Sequence, residues 1–135
     1  MSPSADDLVA DARRHLDRSR PEDLDEVAAS GGMIVDIRPV GQRAIEGELP
    51  GALIIERNVL EWRLDPNGLH RIPEVHGFDQ QVVVVCSEGY ASSLAAASLH
   101  HLGFSRVSDL AGGYRAWSAW ASSERATVPA ARSAP

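Results

Sequence analysis

The clearest hydrophobic pattern in the chain is a run of four valines, 82–85, followed directly by Cys86. Such a run is typical of a strand buried on both faces, as in a parallel sheet. The alanine-rich segment after it favours a helix to about Leu102. Ser92 or Ser93 could cap the start of this helix. The pattern therefore predicts a strand, a tight loop containing the cysteine, and a helix.

Other short apolar segments alternate with helical patterns along the rest of the chain. We predict further strands and helices in the following order: helix 4–18, helix 21–29, strand 33–36, helix 40–45, strand 52–55, helix 58–62, strand 107–110 and helix 113–122. Short strands that alternate with helices indicate an α/β fold with a mostly parallel sheet. In such sheets ligands bind beyond the carboxyl ends of the strands, which is where Cys86 lies.

The length of 135 residues favours a single domain. We assign this domain to residues 21–122 and treat residues 1–20 as an N-terminal helical extension. Residues 123–135 are rich in Ala, Ser, Arg and Pro, a composition that predicts a disordered tail.

Composition and charge narrow the possible functions. The net charge of −6 argues against nucleic-acid binding. No apolar run is long enough to span a membrane, and no secretory signal is evident. A single cysteine cannot form an internal disulfide, so we expect a cytoplasmic protein. The basic residues are all arginine, which hints at a bacterial source. The histidines lack the spacing of a metal site, so we expect no metal.

Cys86 is the first candidate for chemistry. A lone cysteine after an apolar strand is often simply buried. Here, however, Gly89 allows a tight bend in the loop. N–H groups that turn inward between a strand end and a helix start favour an anion, and the same field lowers the pKa of a thiol. The loop could therefore hold a thiolate, a persulfide or a bound oxyanion.

Four motifs occur in order along the chain, and together they resemble those of the single-domain rhodaneses, a family of sulfurtransferases. They are Val-Asp-Ile-Arg at 35–38, Gly-Glu-Leu-Pro-Gly-Ala at 47–52, the Cys86 loop at 84–92, and Gly-Phe…Val…Asp-Leu-Ala-Gly-Gly-Tyr-Arg-Ala-Trp at 103–117. The resemblance covers about residues 22–121. It implies a rhodanese-like three-layer α/β/α domain with a central, mostly parallel sheet.

The resemblance also implies a reaction. Cys86 would be the nucleophile that takes sulfane sulfur from a donor such as thiosulfate, 3-mercaptopyruvate or a persulfide. It would then pass the sulfur to cyanide or to a thiol, including one on a protein. No metal or organic cofactor is implied. The residues implied to form the substrate cradle are Ser87, Glu88, Gly89, Tyr90, Ala91 and Ser92.

The loop departs from the family's usual pattern in its charge. Ala91 stands where an arginine is frequent, and Glu88 is the loop's charged residue. An acidic group beside a thiolate raises its pKa and repels thiosulfate. We expect Arg57, just after the second strand, to supply the missing cation; Arg63 and Arg71 are weaker candidates.

Asp36 and Arg38 are expected to support the loop rather than to react. Asp36 should accept backbone hydrogen bonds at the end of its strand. Arg38 should pair with a carboxylate, and Glu56 is the candidate partner.

Three other functions are alternatives to sulfur transfer. Tyrosine phosphatases need an arginine six positions after the cysteine to clamp phosphate, but Ser92 stands there. The acidic loop leaves open a low-turnover binding or regulatory module, or a redox-sensing thiol.

Overall fold

The computed structural model of the protein describes residues 2–127, and the side chains of residues 2–124. Its strands are β1 (Met33–Asp36), β2 (Leu53–Ile54), β3 (Gln81–Val85) and β4 (Arg106–Asp109). Its α-helices are α1 (Ala5–Arg13), α2 (Leu24–Ala29), α3 (Val40–Glu46), α4 (Leu60–Leu64), α5 (Ala91–Leu102) and α6 (Gly113–Thr127). Short 3-10 turns precede α2 and α4.

The four strands form one parallel sheet in the order β2-β1-β3-β4. The valines of β3 alternate between two apolar clusters. Val82 and Val84 pack on the face covered by α4 and α5, whereas Val83 and Val85 pack on the face that carries Leu24 of α2. The architecture is therefore the predicted α/β/α arrangement, with β3 buried on both faces.

The N-terminal extension packs on the domain. Ser4 caps α1 through a capping box with Asp7, and the helix buries Val9 and Ala12 as it packs against α5. The predicted helix 4–18 is too long, because α1 ends at Arg13 and the chain becomes irregular.

Beyond α1, Ser19 of the extension forms a parallel bridge with Leu110, just past the carboxyl end of β4. The N–H of Ser19 donates to Asp109 O, and the N–H of Ala111 donates to Ser19 O, both at 2.9 Å. Residues from the extension are thereby fixed at the carboxyl end of β4.

Two other sequence-based boundaries need correction. β2 is shorter than predicted, because only Leu53 and Ile54 pair with β1. Helix α6 continues past residue 122 to Thr127, so the first residues of the predicted tail 123–135 are helical. The remainder, 128–135, lies outside the described residues. Within residues 2–127, no helix is both long and apolar enough to cross a membrane.

Candidate active site

Cys86 follows the last residue of β3, so its side chain lies at the carboxyl edge of the sheet. The residue is 7% exposed. Its Sγ accepts hydrogen bonds from the backbone N–H of Gly89 at 3.1 Å and of Ser92 at 3.3 Å. These two amides come from the loop and from the first turn of α5, which also directs the positive end of its dipole to this edge. The sulfur therefore lies in a site that stabilises negative charge.

The loop can adopt this shape because Gly89 has a φ of +91°, in the left-handed region. A Cβ at this position would lie 2.8 Å from Gly112 N and 3.2 Å from Arg18 Nη2. The start of α6 approaches the other side of the loop closely, since a Cβ on Gly113 would lie 2.5 Å from Cys86 O. The Tyr114 N–H donates to that same oxygen at 2.7 Å. Glycines in both segments thus permit the contact that fixes the loop.

A first polar cluster supports the start of the loop; we call it the Arg38 cluster (Asp36, Arg38, Glu46 and Ser87). Arg38 is fully buried and forms a two-pronged ion pair with Asp36. It also bonds Glu46 at 3.1 Å, and Glu46 accepts a bond from Ser87 Oγ at 2.9 Å. Tyr114 covers the guanidinium, with 4.0 Å from Arg38 Cζ to the ring centroid. The cluster thus joins the end of β1 to the residue after Cys86.

The ionisation of this cluster is fixed by its partners. Burial alone would raise the pKa of Glu46, but hydrogen bonds from Ser87, Arg38 and Arg115 outweigh it and lower that pKa below its usual value. Burial alone would lower the pKa of Arg38, but Asp36 and Glu46 raise it overall. The carboxylate and the guanidinium are both charged at neutral pH.

Asp36 and Arg38 therefore occupy the positions expected of loop supports, although Arg38 pairs with Asp36 and Glu46 instead of the predicted Glu56. Asp36 does accept a backbone bond, from Arg38 N at 3.0 Å. Glu46 is the last residue of α3, and its carboxylate contacts the loop at Ser87.

A second polar cluster supports the end of the loop; we call it the Asp109 cluster (Arg18, Ser92, Ser93 and Asp109). Asp109 is completely buried and accepts two bonds from Arg18, at 2.9 and 3.1 Å. The hydroxyls of Ser92 and Ser93 donate to it at 2.7 and 2.8 Å. The two serines therefore do not cap α5 as predicted: Tyr90 occupies the N-cap position without a side-chain bond.

Two arginines of the N-terminal extension bind the loop itself. Arg13 Nη2 and Arg18 Nη2 each donate to Gly89 O at 2.8 Å. Arg13 Nε also donates to Ser93 Oγ at 3.0 Å, and its guanidinium lies 5.5 Å from the centroid of the Tyr90 ring. The carbonyl of Gly89 thus has two cationic donors.

The remaining predicted residues lie at the periphery of the cradle. Glu88 is exposed and lies 3.7 Å from Arg115, while Tyr90 and Ala91 are exposed at the start of α5. Arg57 lines a surface cavity of about 360 Å³ beside Ile37 at the same edge of the sheet. It donates to both oxygens of Glu61 at 3.0 Å, so its role in substrate binding stays a prediction.

Sequence reasoning missed the contributions of Arg13, Arg18, Glu46, Asp109 and Arg115. The position of Asp109 at the end of a predicted strand was the one available indication, because that edge also carries Cys86. Among the described residues, no group of three or more His, Cys, Asp or Glu side chains is arranged to hold a metal ion.

Comparison with known proteins assigns the chain to a family. A family model described as the rhodanese-like domain matches residues 20–119. The chain belongs to the rhodanese-like family.

Sequence relatives carry sulfurtransferase names. The chain is 33% identical to the thiosulfate sulfurtransferase GlpE of Ectopseudomonas mendocina, over 81% of this chain and 91% of that protein. It is 30% identical to the chloroplastic thiosulfate sulfurtransferase 16 of Arabidopsis thaliana, over 84% of this chain and 80% of that protein.

Solved structures extend the comparison. A Rhodopseudomonas palustris protein of unknown function, described as a possible tyrosine phosphatase, superposes with a TM-score of 0.80 and 27% identity, over 90% of this chain and 93% of that one. The human single-domain sulfurtransferase TSTD1 superposes with a TM-score of 0.62 and 26% identity, over 76% of this chain and 95% of that one.

Proposed function

We propose that this protein is a sulfurtransferase that carries sulfane sulfur as a persulfide on Cys86. The observation that carries the proposal is the pair of backbone amides, Gly89 N–H and Ser92 N–H, directed at Cys86 Sγ. Backbone donors of this kind stabilise a negative sulfur without needing a cationic side chain. The thiosulfate sulfurtransferase relatives supply the reaction class.

The reaction proceeds by two displacements at sulfur. The Cys86 thiolate attacks the outer sulfur of thiosulfate, the S–S bond of the donor breaks, and sulfite leaves with the electron pair. Cys86 then carries a persulfide whose terminal sulfur is anionic. In the second step cyanide or an acceptor thiolate attacks that terminal sulfur, and Cys86 leaves as the thiolate. The thiolate and the persulfide each carry one negative charge. One fixed set of amide donors can therefore stabilise both forms of Cys86.

The residues around the cradle have different roles in this proposal. The amides of residues 87–92 hold the thiolate, the persulfide and the bound anion. Glu88 would repel an anionic donor, but Arg115 lies 3.7 Å from it and offsets part of its charge. Arg57 would meet the donor at the rim, beside the apolar cavity. We therefore expect a slow thiosulfate reaction, and we propose that the acceptor thiol, of a small molecule or a protein, approaches at this same rim.

Phosphatase chemistry fits the loop less well. The sixth position after the cysteine, where an arginine would clamp phosphate, is Ser92. Ser92 is buried, and its hydroxyl is bonded to Asp109. We therefore do not propose tyrosine phosphatase activity for this chain, although the R. palustris protein is described as a possible tyrosine phosphatase.

The test is intact-mass measurement after incubation with thiosulfate, 3-mercaptopyruvate or polysulfide. We expect a gain of one sulfur atom that disappears with cyanide or dithiothreitol. The matched control is Cys86→Ser, which should gain no sulfur, because the protein has a single cysteine. If none of the three donors adds sulfur to a folded protein, the enzyme proposal is wrong.

The alternative of a binding or redox-sensing module is supported by one feature, the absence of a cationic side chain among residues 87–92. Both forms of this alternative predict that sulfur donors leave the mass unchanged. The redox-sensing form also predicts that peroxide oxidises Cys86 much faster than it oxidises an ordinary cysteine. A cytoplasmic location and a bacterial source stay predictions from composition.

A further inference from the structure

The positive charge of the candidate site comes from an unexpected direction. The loop itself contains Glu88 and no cation, and Ala91 stands where an arginine was expected from the family resemblance. Arg13 and Arg18 instead approach the loop from the N-terminal extension. Both arginines precede residues 20–119, which are the part of the chain that matches the family model.

We propose that Arg13 and Arg18 complete the anion site by holding the Gly89 carbonyl and giving the Cys86 loop a positive field that its own residues lack. This inference rests on the proposed function, in which the site binds an anionic sulfur donor. Both arginines are positioning residues, because their guanidinium groups contact the loop backbone and not the reacting sulfur.

Gly89 contacts the sulfur with its N–H and the two arginines with its C=O. Peptide bonds in residues 2–127 are all trans. A trans peptide holds its C=O and N–H on opposite sides, so the N–H of Tyr90 points away from the guanidinium groups. Two cations on the oxygen polarise the Gly89–Tyr90 peptide, whereas the Gly89 N–H that bonds Cys86 Sγ belongs to the preceding peptide. The arginines therefore act on the sulfur through their positive field and by fixing the Gly89 carbonyl.

The charges behind the loop do not cancel. Arg18 is bonded to the buried carboxylate of Asp109, which offsets its charge. The described partners of Arg13 are uncharged: Gly89 O, Ser93 Oγ and the Tyr90 ring. Arg13 therefore contributes a net positive charge at this side of the loop. It is also the better residue to mutate, because loss of Arg18 would leave Asp109 buried without its ion pair.

The test compares two alkylating reagents that have the same reactive group but different charge. Iodoacetamide is neutral and iodoacetate is anionic, and both react with the thiolate of Cys86. The ratio of their rate constants reports the electrostatic potential at the sulfur, because a change in the amount of thiolate affects both rates equally. Intact mass follows each reaction at the protein's single cysteine.

We expect Arg13→Gln to lower the iodoacetate-to-iodoacetamide ratio about threefold to tenfold at low salt, with a smaller effect at high salt. Arg13→Lys should keep most of the ratio, because it keeps the charge. The matched control is Arg14→Gln, which removes a neighbouring arginine that is 74% exposed and paired with Asp11; its ratio should stay at the value of the unmodified protein.

Three results would overturn the inference, and a fourth would separate it from the proposed function. An unchanged ratio in Arg13→Gln would show that the arginine adds no field at the sulfur. Equal decreases in Arg13→Gln and Arg13→Lys would show a purely steric role. Cys86 that reacts with neither reagent would contradict an open anion site. A protein that no sulfur donor loads, but whose ratio depends on Arg13, would refute the sulfurtransferase function and keep the positive field.

Discussion

The Arg38 cluster and the Asp109 cluster support opposite ends of the same loop, and they are built from different parts of the chain. In the Arg38 cluster the central ion pair joins residues two positions apart, Asp36 and Arg38. In the Asp109 cluster the ion pair joins Arg18 to Asp109, 91 positions away. The first lies inside the family's domain, whereas the second needs the N-terminal extension. The start of the loop is therefore held by residues within the matched domain, whereas its end also depends on Arg18 from the N-terminal extension.

The two clusters also differ in how fully their charges are buried. The Arg38 side chain is 0% exposed and has two carboxylate partners, whereas the Arg18 side chain is 21% exposed. A charge that loses its partner in a buried site cannot recover the lost interaction from water. Removing Arg38, which leaves two carboxylates without their cation, should therefore cost more stability than removing the charge of Asp109.

The largest expected effect comes from Arg38→Met, which removes the cation between Asp36 and Glu46. We expect the free energy of unfolding to fall by about 3–5 kcal/mol, as measured by urea denaturation. Arg14→Met is the control, because Arg14 is exposed and its change should leave the midpoint nearly unaltered. A loss no larger than that of the control would mean that the Arg38 cluster does not hold the fold.

The second prediction concerns Asp109→Asn in the other cluster. The substitution keeps the shape but removes the charge that accepts bonds from Arg18, Ser92 and Ser93. We expect a loss of about 2–3 kcal/mol in the same assay. Asp25→Asn on α2, where the residue is exposed, is the control and should change little. If Asp109→Asn costs more than Arg38→Met, the order of the two clusters is wrong.

The same contrast explains what the sequence could predict. Runs of apolar residues define the strands, so β3 and the place of Cys86 at its end followed from the valines alone. Asp36 and Arg38 could be recognised as supports because they are neighbours at a strand end. The choice of Glu46 over Glu56 could not be made, because it depends on how α3 is placed beside the loop.

The Asp109 cluster was beyond sequence reasoning for a related reason. Periodicity shows which face of α1 is apolar, and Val9 and Ala12 do face α5. It does not show which helix that face contacts. The extension could therefore be predicted as a helix, but not as the source of two arginines at the loop. Contacts between residues that are far apart in the chain depend on how the helices and strands pack. A single sequence does not show that packing.

The third prediction, with the smallest effect, tests the link between Glu46 and the loop. Glu46→Gln weakens the bonds from Arg38, Ser87 and Arg115, and we expect a loss of about 1–2 kcal/mol near neutral pH. The pKa of Glu46 is lower in the folded protein than its usual value of 4.5. Its charged form therefore stabilises the fold fully above that value, and the contribution disappears as the pH falls through the folded pKa.

The stability difference between the unmodified protein and Glu46→Gln should accordingly be constant near neutral pH and shrink below about pH 4.5, because glutamine does not titrate. Urea denaturation of both proteins across this range measures it, and other carboxylates cancel in the difference. Glu22→Gln is the control, since the Glu22 side chain is 50% exposed and pairs with Arg20, whose side chain is 72% exposed. A difference that grows on acidification would mean that Glu46 is not held as a carboxylate, and that Ser87 is positioned by some other contact.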